Sequence, residues 1–462
     1  MKKISILFVS LSALALICFS CSTAPAGGDL LDASLWTISG EFQSEEGVFT
    51  LHGNDSRMIL KGGKYENFVL SMELSTGRGG KGALWFHTDP SLSKGYAVAI
   101  NNDRSDPQWW KMSGSLLSVR NLTKSFVKEE EWYTMSVRVE GKAVTVSING
   151  SPVVAYTEPL QPWRTGANTK ALLSKGTFAI ASGSDQGEIL IRKMTLEPLL
   201  PSDPAAVPAA AAVDEQNDPI IRLHQEDFPV LDYHVHLKGG LTTEDAAALS
   251  RQTGVNYAIA PNCGVGFPIT DDAGVMAFLD EMRSQPFILA MQAEGREWIE
   301  TFSQGVRDEF DYVFTDALTF SDNKGRRSRI WIPEETWIED EQQYMDLIVD
   351  RICSVLQEPM QIYVNPCFLP EQMADRYDDF WTEERMNKFV DALAASGKVL
   401  EINARYKIPN KAIIQKAKAA GVKFSFGTNN GGAELGLLEY AIRMKNECGI
   451  TAGDMYKPQI KI

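Results

Sequence analysis

Strand-like and helix-like segments alternate through the second half of this sequence, and this alternation most constrains the fold. Seven short apolar runs lie at 230–234, 256–260, 287–291, 312–315, 361–364, 399–402 and 423–426. Amphipathic stretches separate them, most clearly at 243–253, 272–283, 340–356, 382–396 and 411–420. Strands that alternate with helices pair in parallel, and seven or eight such units close on themselves. The pattern therefore predicts an α/β barrel over residues 220–462.

Polar side chains follow almost every predicted strand of this barrel. Because active sites of such barrels lie where strands end and loops begin, this repeated placement predicts a functional site there. The residues at these positions are His234, His236, Asn262, Glu294, Arg296, Asp316, Asn365, Glu401, Asn403, Asn429 and Asn430.

Two histidines end the first strand, one residue apart. Alternate residues of a strand face the same side, so His234 and His236 point in one direction and can bind one metal ion. With Glu294 and Asp316 they form a predicted site for a single divalent ion, zinc, manganese or calcium, with a position open for water. Glu401 is a candidate general base, or alternatively an inward-facing structural carboxylate.

The remaining residues at the strand ends are mostly amides. Amides donate and accept hydrogen bonds without charge, which suits a polyhydroxylated substrate such as a sugar. We therefore expect substrate to contact Asn262, Arg296, Asn365, Asn403, Asn429 and Asn430. The basic loop 322–330 is either a lid that clamps an anion or a solvated charge run.

The first half of the chain, residues 28–198, shows the alternation of short β-strands. Hydrophobic and polar residues alternate at 68–75, at 135–139 and at 144–148, and turns separate the runs. Many short strands with frequent turns predict an all-β sandwich. His87, Asp103, Trp109 and Trp110 are candidates for a sugar site, because aromatic faces stack on pyranoses and polar groups bind hydroxyls. The alternative is that the tryptophans are packed within the protein.

Two further segments define the organisation of the chain. Residues 1–21 read as a targeting segment, with Lys2 and Lys3 before an apolar run, and Ser20-Cys21 is typical of a bacterial lipoprotein cleavage site. This predicts lipid attachment at Cys21 and export to the cell envelope, on its periplasmic or outer surface, with ordinary secretion as the alternative. A Pro/Ala-rich linker is predicted at 199–219. The net charge of −15 disfavours nucleic acid as a partner.

The first half resembles the 3-keto-disaccharide hydrolase domain, a sandwich of the concanavalin and laminin-G type. The resemblance covers nearly all of 28–198 and is carried by Tyr65-Glu-Asn-Phe-Val-Leu-Ser-Met-Glu-Leu74, Gly82-Ala-Leu-Trp-Phe86, Gly95-Tyr-Ala-Val-Ala-Ile-Asn-Asn-Asp103, Glu131-Trp-Tyr133 and the hairpin at 148–150. Such domains often carry an acidic residue and a glutamine in the strand after Gly-Tyr. Here that strand reads Ala97-Val-Ala99, without a carboxylate.

The second half, roughly 228–458, resembles the polymerase and histidinol phosphatase (PHP) family of distorted seven-stranded barrels. The matching motifs are His234-Val-His236, Ala290-Met-Gln-Ala-Glu-Gly295, Asp311-Tyr-Val313, Ile362-Tyr-Val-Asn-Pro366, Leu400-Glu-Ile-Asn403 and 424–430. Glu294 falls where that family places a bridging glutamate. The family's further histidines are replaced by Leu318 or Asp316, by Asn365 and within 429–431, so the resemblance implies one metal ion rather than three.

Three hypotheses follow. The first is an exported, lipid-anchored hydrolase of a carbohydrate or sugar derivative, with metal-dependent catalysis in the barrel and glycan binding in the sandwich. The second places hydrolase or lyase chemistry on a 3-keto-glycoside in the sandwich, as the resemblance implies. The third is a non-catalytic carbohydrate-binding lipoprotein with a degenerate barrel. The first two share a carbohydrate substrate and an enzymatic function, and we adopt that prediction.

Overall fold

The computed structural model describes residues 28–199 and 212–461. The predicted leader, with Cys21, and residues 200–211 of the predicted linker lie outside the described residues. Among those described, none of the helices is long and apolar enough to cross a membrane.

Antiparallel strands build the first domain. They are β1 (Gly28–Asp29), β2 (Trp36–Glu45), β3 (Val48–Leu60), β4 (Phe68–Thr76), β5 (Lys81–Thr88), β6 (Tyr96–Asn101), β7 (Tyr133–Glu140), β8 (Ala143–Ile148), β9 (Ser151–Thr157), β10 (Thr177–Ser182) and β11 (Ile189–Pro198). Their order in the sheet is β6-β5-β10-β3-β11-β4-β7-β8-β9, with β1 beside β11 and β2 beside β3. Alternation of buried and partly exposed residues, as along β8, fits strands with one face on a core.

This sheet folds over on itself as a sandwich. The two halves of the long strand β3 pair with different neighbours, its first half with β11 and its second half with β10. Two strands separate β10 from β4 in the sheet, yet the rings of Phe178 and Phe68 lie 4.7 Å apart, edge to face. The apolar faces of the two layers therefore enclose one core, and the predicted sandwich is confirmed.

Strands alternate with helices in the second domain, and they pair in parallel except in one separate two-stranded hairpin. The strands are β12 (Leu231–Val235), β13 (Asn256–Ile259), β14 (Asn262–Cys263), β15 (Ile288–Ala293), β16 (Tyr312–Thr315), β17 (Thr319–Ser321), β18 (Arg327–Arg329), β19 (Ile362–Tyr363), β20 (Val399–Asn403) and β21 (Phe424–Gly427). The helices are α1 (Pro219–Gln225), α2 (Thr243–Thr253), α3 (Asp272–Met282), α4 (Trp298–Thr301), α5 (Gln304–Arg307), α6 (Glu341–Val355), α7 (Glu371–Ala374), α8 (Tyr377–Phe380), α9 (Glu383–Ser396), α10 (Lys411–Ala419) and α11 (Glu439–Cys448).

Seven parallel strands form a nearly closed barrel in the order β12-β13-β15-β16-β19-β20-β21, as predicted. The first and last strands meet where the backbone N–H of Asn429 donates to the His234 carbonyl at 2.9 Å. Helix ends follow local sequence signals: Thr242 and Asp245 form a capping box before α2, and Gly254 ends that helix in the left-handed region at φ +81°.

The sandwich docks on the end of the barrel where its strands begin. Buried Lys124 donates from Nζ to the carbonyl of Phe287 at 2.6 Å, immediately before β15. Asn256, the first residue of β13, donates from Nδ2 to the carbonyl of Asn121 at 2.9 Å. The strand ends that carry the predicted site therefore lie at the opposite end of the barrel from the sandwich.

The end of the predicted linker is anchored to the sandwich. Glu215 is buried, and its Oε2 accepts hydrogen bonds from Arg164 Nη1 at 2.7 Å and from the Trp163 backbone N–H at 2.8 Å. Its Oε1 accepts from the hydroxyl of Tyr156 at 2.7 Å. The described end of the predicted linker is therefore bound to the sandwich.

Candidate active site at the carboxyl end of the barrel

A cleft of about 360 Å³ lies at the carboxyl end of the barrel strands. Because parallel strands all end at this edge, residues distant in sequence meet there. The cleft brings together a subset of the predicted residues: His236, Asn262, Glu294, Asp316, Asn365 and Asn429.

His234 lies beneath this cleft in a closed hydrogen-bonded pair with Glu401. Its ring is 5.1 Å from that of His236, as expected for alternate residues of one strand. His234 Nδ1 contacts Glu401 Oε1 at 2.6 Å, and its Nε2 contacts the amide oxygen of Gln292 at 3.2 Å. Both ring nitrogens of His234 are therefore hydrogen-bonded, and neither is open to a metal ion in this arrangement.

Glu401 is fully buried and all its bonds are internal. Its second oxygen, Oε2, accepts from the backbone N–H of Asn365 at 2.7 Å and from Asn403 Nδ2 at 3.1 Å. The predicted general base therefore has its carboxylate saturated under the cleft. These bonds favour the alternative interpretation, an inward-facing structural carboxylate.

His236 lines the cleft in one defined tautomer. Its Nδ1 lies 2.7 Å from the carbonyl of Ala260, which can only accept, so Nδ1 carries the proton. Burial, with the neighbouring His234, holds the pKa of His236 well below its usual value. The ring is therefore neutral at physiological pH, and Nε2 keeps a lone pair that can accept a proton.

Glu294 and Asp316 place two carboxyl groups in the same cleft. Burial first, and then the charge of Asp316, raises the pKa of Glu294 to about 8. Burial also raises the pKa of Asp316, although its oxygens accept hydrogen bonds from the Leu318 N–H at 3.0 Å and from Asn365 Nδ2 at 2.8 Å. Because these two donors favour the charged form of Asp316, Glu294 is the member that keeps its proton near neutral pH.

The four predicted metal ligands do not assemble into a metal site. Across residues 28–199 and 212–461, no group of three or more histidine, cysteine, aspartate or glutamate side chains is arranged to hold an ion. His234 has both ring nitrogens hydrogen-bonded, to Glu401 and to Gln292. These donors therefore do not fit the predicted ion, and the residues suit proton transfer instead.

The predicted amides mostly hold other site residues in place. Asn262 Nδ2 donates to Glu294 Oε1 at 2.7 Å. The side-chain oxygen of Asn365 accepts from Asn403 at 3.0 Å and from Asn429 at 2.8 Å, and Asn403 itself is fully buried. Asn430 bonds the backbone N–H and carbonyl of His236, both at 2.8 Å. Asn403 and Asn430 therefore position the site rather than line this cleft.

Arg296 is also a supporting residue. It donates to Glu358 Oε1 at 2.8 Å, to Thr315 Oγ1 at 3.0 Å and to the backbone carbonyl of Asp316 at 2.7 Å. These bonds fix the backbone on which Asp316 is presented. Nη1 and Nη2 are engaged in these bonds, whereas Nε has no partner among the described residues, so that substrate binding by Arg296 stays a prediction.

The predicted sugar site of the sandwich does not form. Trp109 and Trp110 are 6% and 7% exposed, pack with the apolar core of the barrel, and Trp110 Nε1 donates to Asp227 at 3.0 Å. His87 is buried between the carbonyl of Glu66 and the N–H of Ser174, and burial lowers its pKa to about 4. The two tryptophans are interface residues because the domains dock over them, which corrects the expectation that they stack on a sugar.

Asp103 closes a local turn of the sandwich. Its Oδ1 accepts from the backbone N–H and the hydroxyl of Ser105, at 2.7 Å and 2.6 Å. The side chain is therefore engaged within its own loop and does not join His87 in a shared site.

Four residues at the mouth of the barrel cleft were not predicted. Trp331 and Tyr406 are 36% and 37% exposed, and both line the cleft together with Lys238 and Arg405. Lys238 and Tyr406 follow the first and sixth barrel strands. They could have been predicted if cationic and aromatic residues after the strands had been counted as candidates. Trp331 follows the hairpin of β17 and β18, and no local sequence pattern predicted that hairpin.

Comparison with known proteins finds a family model that matches the first domain. Residues 27–197 match the model of the 3-keto-alpha-glucoside-1,2-lyase-like domain, which is less than half of the chain. No curated protein matches the chain significantly.

Several solved structures each cover part of this chain at low identity. A putative glycosyl hydrolase from Parabacteroides distasonis is 17% identical with a TM-score of 0.33, covering 36% of this chain and 89% of that one. The carbohydrate-binding module CBM66 from Bacillus subtilis is 15% identical with a TM-score of 0.27, covering 35% and 95%. Histidinol phosphate phosphatase from Lactococcus lactis, complexed with zinc, L-histidinol and phosphate, is 15% identical with a TM-score of 0.35, covering 49% and 97%. At these levels the likenesses carry no information about activity.

Proposed function

We propose that this protein is a hydrolase of a carbohydrate or sugar-derived substrate and that the barrel cleft is its active site. The observation that carries the proposal is the pair Glu294 and Asp316, a carboxylic acid and a carboxylate that line one cleft. Hydrolysis needs a proton donor for the leaving group and a proton acceptor for water. The carbohydrate class is supported by the family model that matches the first domain.

In the proposed reaction Glu294 is the general acid. It gives its proton to the leaving-group oxygen as the bond to the sugar carbon breaks. Asp316 accepts a proton from the attacking water, whose oxygen forms the new bond to the same carbon. His236 Nε2 is a second acceptor that lines the same cleft. Both proton transfers use side chains of this chain, so the proposed reaction needs no metal ion.

A second candidate function places the reaction on a 3-keto-glycoside. The match of residues 27–197 to a lyase-like domain favours it. A ketone at C3 acidifies the proton at C2, so one base can remove that proton and the aglycone leaves by elimination. In the sandwich the strand after Gly95-Tyr96 carries no carboxylate, whereas the barrel cleft supplies two. We therefore propose the cleft as the site of this reaction too.

We further propose that the protein is exported and attached to the bacterial envelope through lipid on Cys21. The sequence of residues 1–21 supports this, with two lysines, an apolar run and Ser20 directly before the cysteine. Labelling cells with a lipid precursor tests it. Wild-type protein should take up label and fractionate with membranes, and Cys21→Ser should do neither. Equal labelling of the two would refute the anchor.

The proposed function is tested with the full mature chain on matched glycosides and 3-keto-glycosides, by following product release. Glu294→Gln and Asp316→Asn keep the size of each side chain and remove its titration. The control is Glu309→Gln, an exposed glutamate whose partner is Arg283. We expect both cleft variants to lose activity about 100-fold or more and the control to keep it. Full activity of both cleft variants on either substrate series would refute the barrel as the active site. Binding without product release from any substrate would favour the non-catalytic hypothesis.

A further inference from the structure

Two cations, Lys238 and Arg405, line the mouth of the cleft. Neither forms an ion pair with a carboxylate in the described part of the chain, and Glu294 is the acid whose charge acts on Lys238. The side-chain hydrogen bond of Arg405 goes from Nη1 to the backbone carbonyl of Asn429, at 3.3 Å. In a protein of net charge −15, two neighbouring cations that are left unpaired mark a place where an anion is favoured.

The guanidinium of Arg405 is held in position without an acid. Its Cζ lies 5.2 Å from the centroid of the Tyr406 ring. Gly431 lies so close that a Cβ added there would come within 2.9 Å of the guanidinium atoms. The guanidinium is thus fixed by a ring, a glycine and a carbonyl. A planar group held this way keeps donors free for a bidentate bond to a carboxylate or phosphate.

The nearby cations of the β17–β18 hairpin behave differently. Lys324 pairs with Glu339, Arg326 with Asp322, and Arg329 with Glu335. Three of the four cations that the sequence offered as an anion clamp are therefore neutralised by nearby acids, whereas Arg327 donates to the backbone carbonyl of Val265 at 3.4 Å. Lys238 and Arg405, which line the cleft itself, lie on the loops after β12 and β20.

The acids of the cleft favour a ligand with a low negative charge. Lys238 and Arg405 line the mouth together with the carboxyl groups of Glu294 and Asp316, whose pKa values are raised by burial. A carboxylate brings one negative charge close to these acids, whereas a phosphate monoester brings close to two. The cleft therefore suits a carboxylate better than a phosphate monoester.

Exposed aromatic rings lie beside these cations. Trp331 and Tyr406 are the two aromatic members among the large, exposed hydrophobic residues of the described chain, and both line this cleft. Aromatic faces stack on the C–H faces of pyranose rings. The mouth therefore combines ring-stacking surfaces with carboxylate-binding groups.

We propose that the cleft binds a sugar acid, with its carboxylate on Lys238 and Arg405 and its ring against Trp331 and Tyr406. This inference rests on the proposed function, because it names the substrate class of the same cleft. It predicts that uronic-acid glycosides are preferred over the corresponding neutral and phosphorylated sugars.

The test compares three ligands by calorimetry or saturation-transfer NMR on the full mature chain. Methyl β-D-glucuronoside and methyl β-D-glucoside differ only at C6, and glucose 6-phosphate supplies the alternative anion. We expect the glucuronoside to bind at least tenfold more tightly than the glucoside, with an affinity that falls as salt rises. Equal binding of glucuronoside and glucoside, or tighter binding of the phosphate, would overturn the proposal.

Variants locate the binding site. Lys238→Met and Arg405→Gln should each weaken glucuronoside binding about tenfold and leave the glucoside unchanged. Gly431→Ala, which moves Arg405 without removing it, should also weaken glucuronoside binding. Arg326→Gln, in the paired hairpin, is the matched control and should bind as the wild type does. Glucuronoside binding that survives Lys238→Met and Arg405→Gln would overturn the proposal.

The inference and the proposed function fail separately. Binding is measured with Glu294→Gln as well as with the wild type, so that no turnover is needed. Glucuronoside binding without any product release would contradict the hydrolase proposal and leave the recognition of a sugar acid standing. Product release from neutral glycosides alone would support the hydrolase proposal and contradict the recognition of a sugar acid.

Discussion

Nδ1 of His234 and Oε1 of Glu401 lie 2.6 Å apart beneath the barrel cleft, and both side chains are almost fully buried. This contact joins the first and sixth strands of the barrel across its interior. It uses the histidine that the sequence suggests as a metal ligand and the glutamate that it suggests as a base. The pair therefore forms the base of the cleft, beneath the residues that we propose to react.

Breaking this pair should destabilise the protein strongly. Glu401→Gln leaves His234 with a buried donor facing a neutral amide, and loss of one member of a buried pair costs about 3–5 kcal/mol. The free energy of unfolding is measured by urea denaturation. Glu309→Gln, in the half-exposed pair with Arg283, should cost less than about 1 kcal/mol. If the two variants lose equal stability, the structural role of Glu401 is wrong.

The elevated pKa of Glu294 should appear as a pH dependence of stability. The folded protein keeps this proton up to about pH 8, whereas the unfolded chain loses it near its ordinary value of 4.5. Between those values the folded state binds more protons, so the contribution of Glu294 to stability falls as pH rises. Glu294→Gln should therefore gain stability relative to the wild type from pH 5 to pH 9, measured as the difference in Tm. A constant difference would mean that the glutamate titrates normally.

Removal of metal should leave the protein unchanged. His234 has no free nitrogen, and the described residues hold no cluster of three or more suitable ligands. We expect the purified protein to contain well under one transition-metal ion per chain and to keep its Tm after treatment with a chelator. Elemental analysis provides the measurement. One ion per chain that is lost in His236→Ala would contradict this prediction.

The contact of the two domains should contribute measurably to stability. Lys124 is buried at the interface and donates to the carbonyls of Phe287 and Gln285, at 2.6 Å and 3.3 Å. Lys124→Met leaves those carbonyls without this donor and should cost about 1–3 kcal/mol of unfolding free energy. Lys128→Met, at an exposed position of the same loop, is the control and should be near neutral. Equal effects of the two substitutions would argue against a tight interface.

The barrel could be predicted because its signals are local. Apolar runs, helical periodicity and capping residues such as Thr242 lie close together in sequence, and they gave α2 its observed bounds. The site was predictable as a region for a similar reason, since all parallel strands end at one edge. His236, Glu294 and Asp316 reach the cleft as expected.

The role of each residue in the barrel cleft depends on tertiary contacts. His234 and His236 face the same side of one strand, but Glu401 and Gln292, from other strands, occupy both nitrogens of His234. Nothing near His234 in the sequence indicates these partners. Likewise, the exposure of Trp109 and Trp110 depends on how the sandwich docks on the barrel, which periodicity does not encode.

The central claim is that Glu294 is the protonated acid of the barrel cleft, and the pH profile of kcat/KM tests it most directly. On the best substrate from the glycoside and glucuronoside series, the wild-type rate should fall as pH rises through about 8, because Glu294 then loses its proton. Glu294→Gln should lose about 100-fold or more in kcat/KM and lack that basic limb. A variant with the wild-type rate and the same profile would contradict the account.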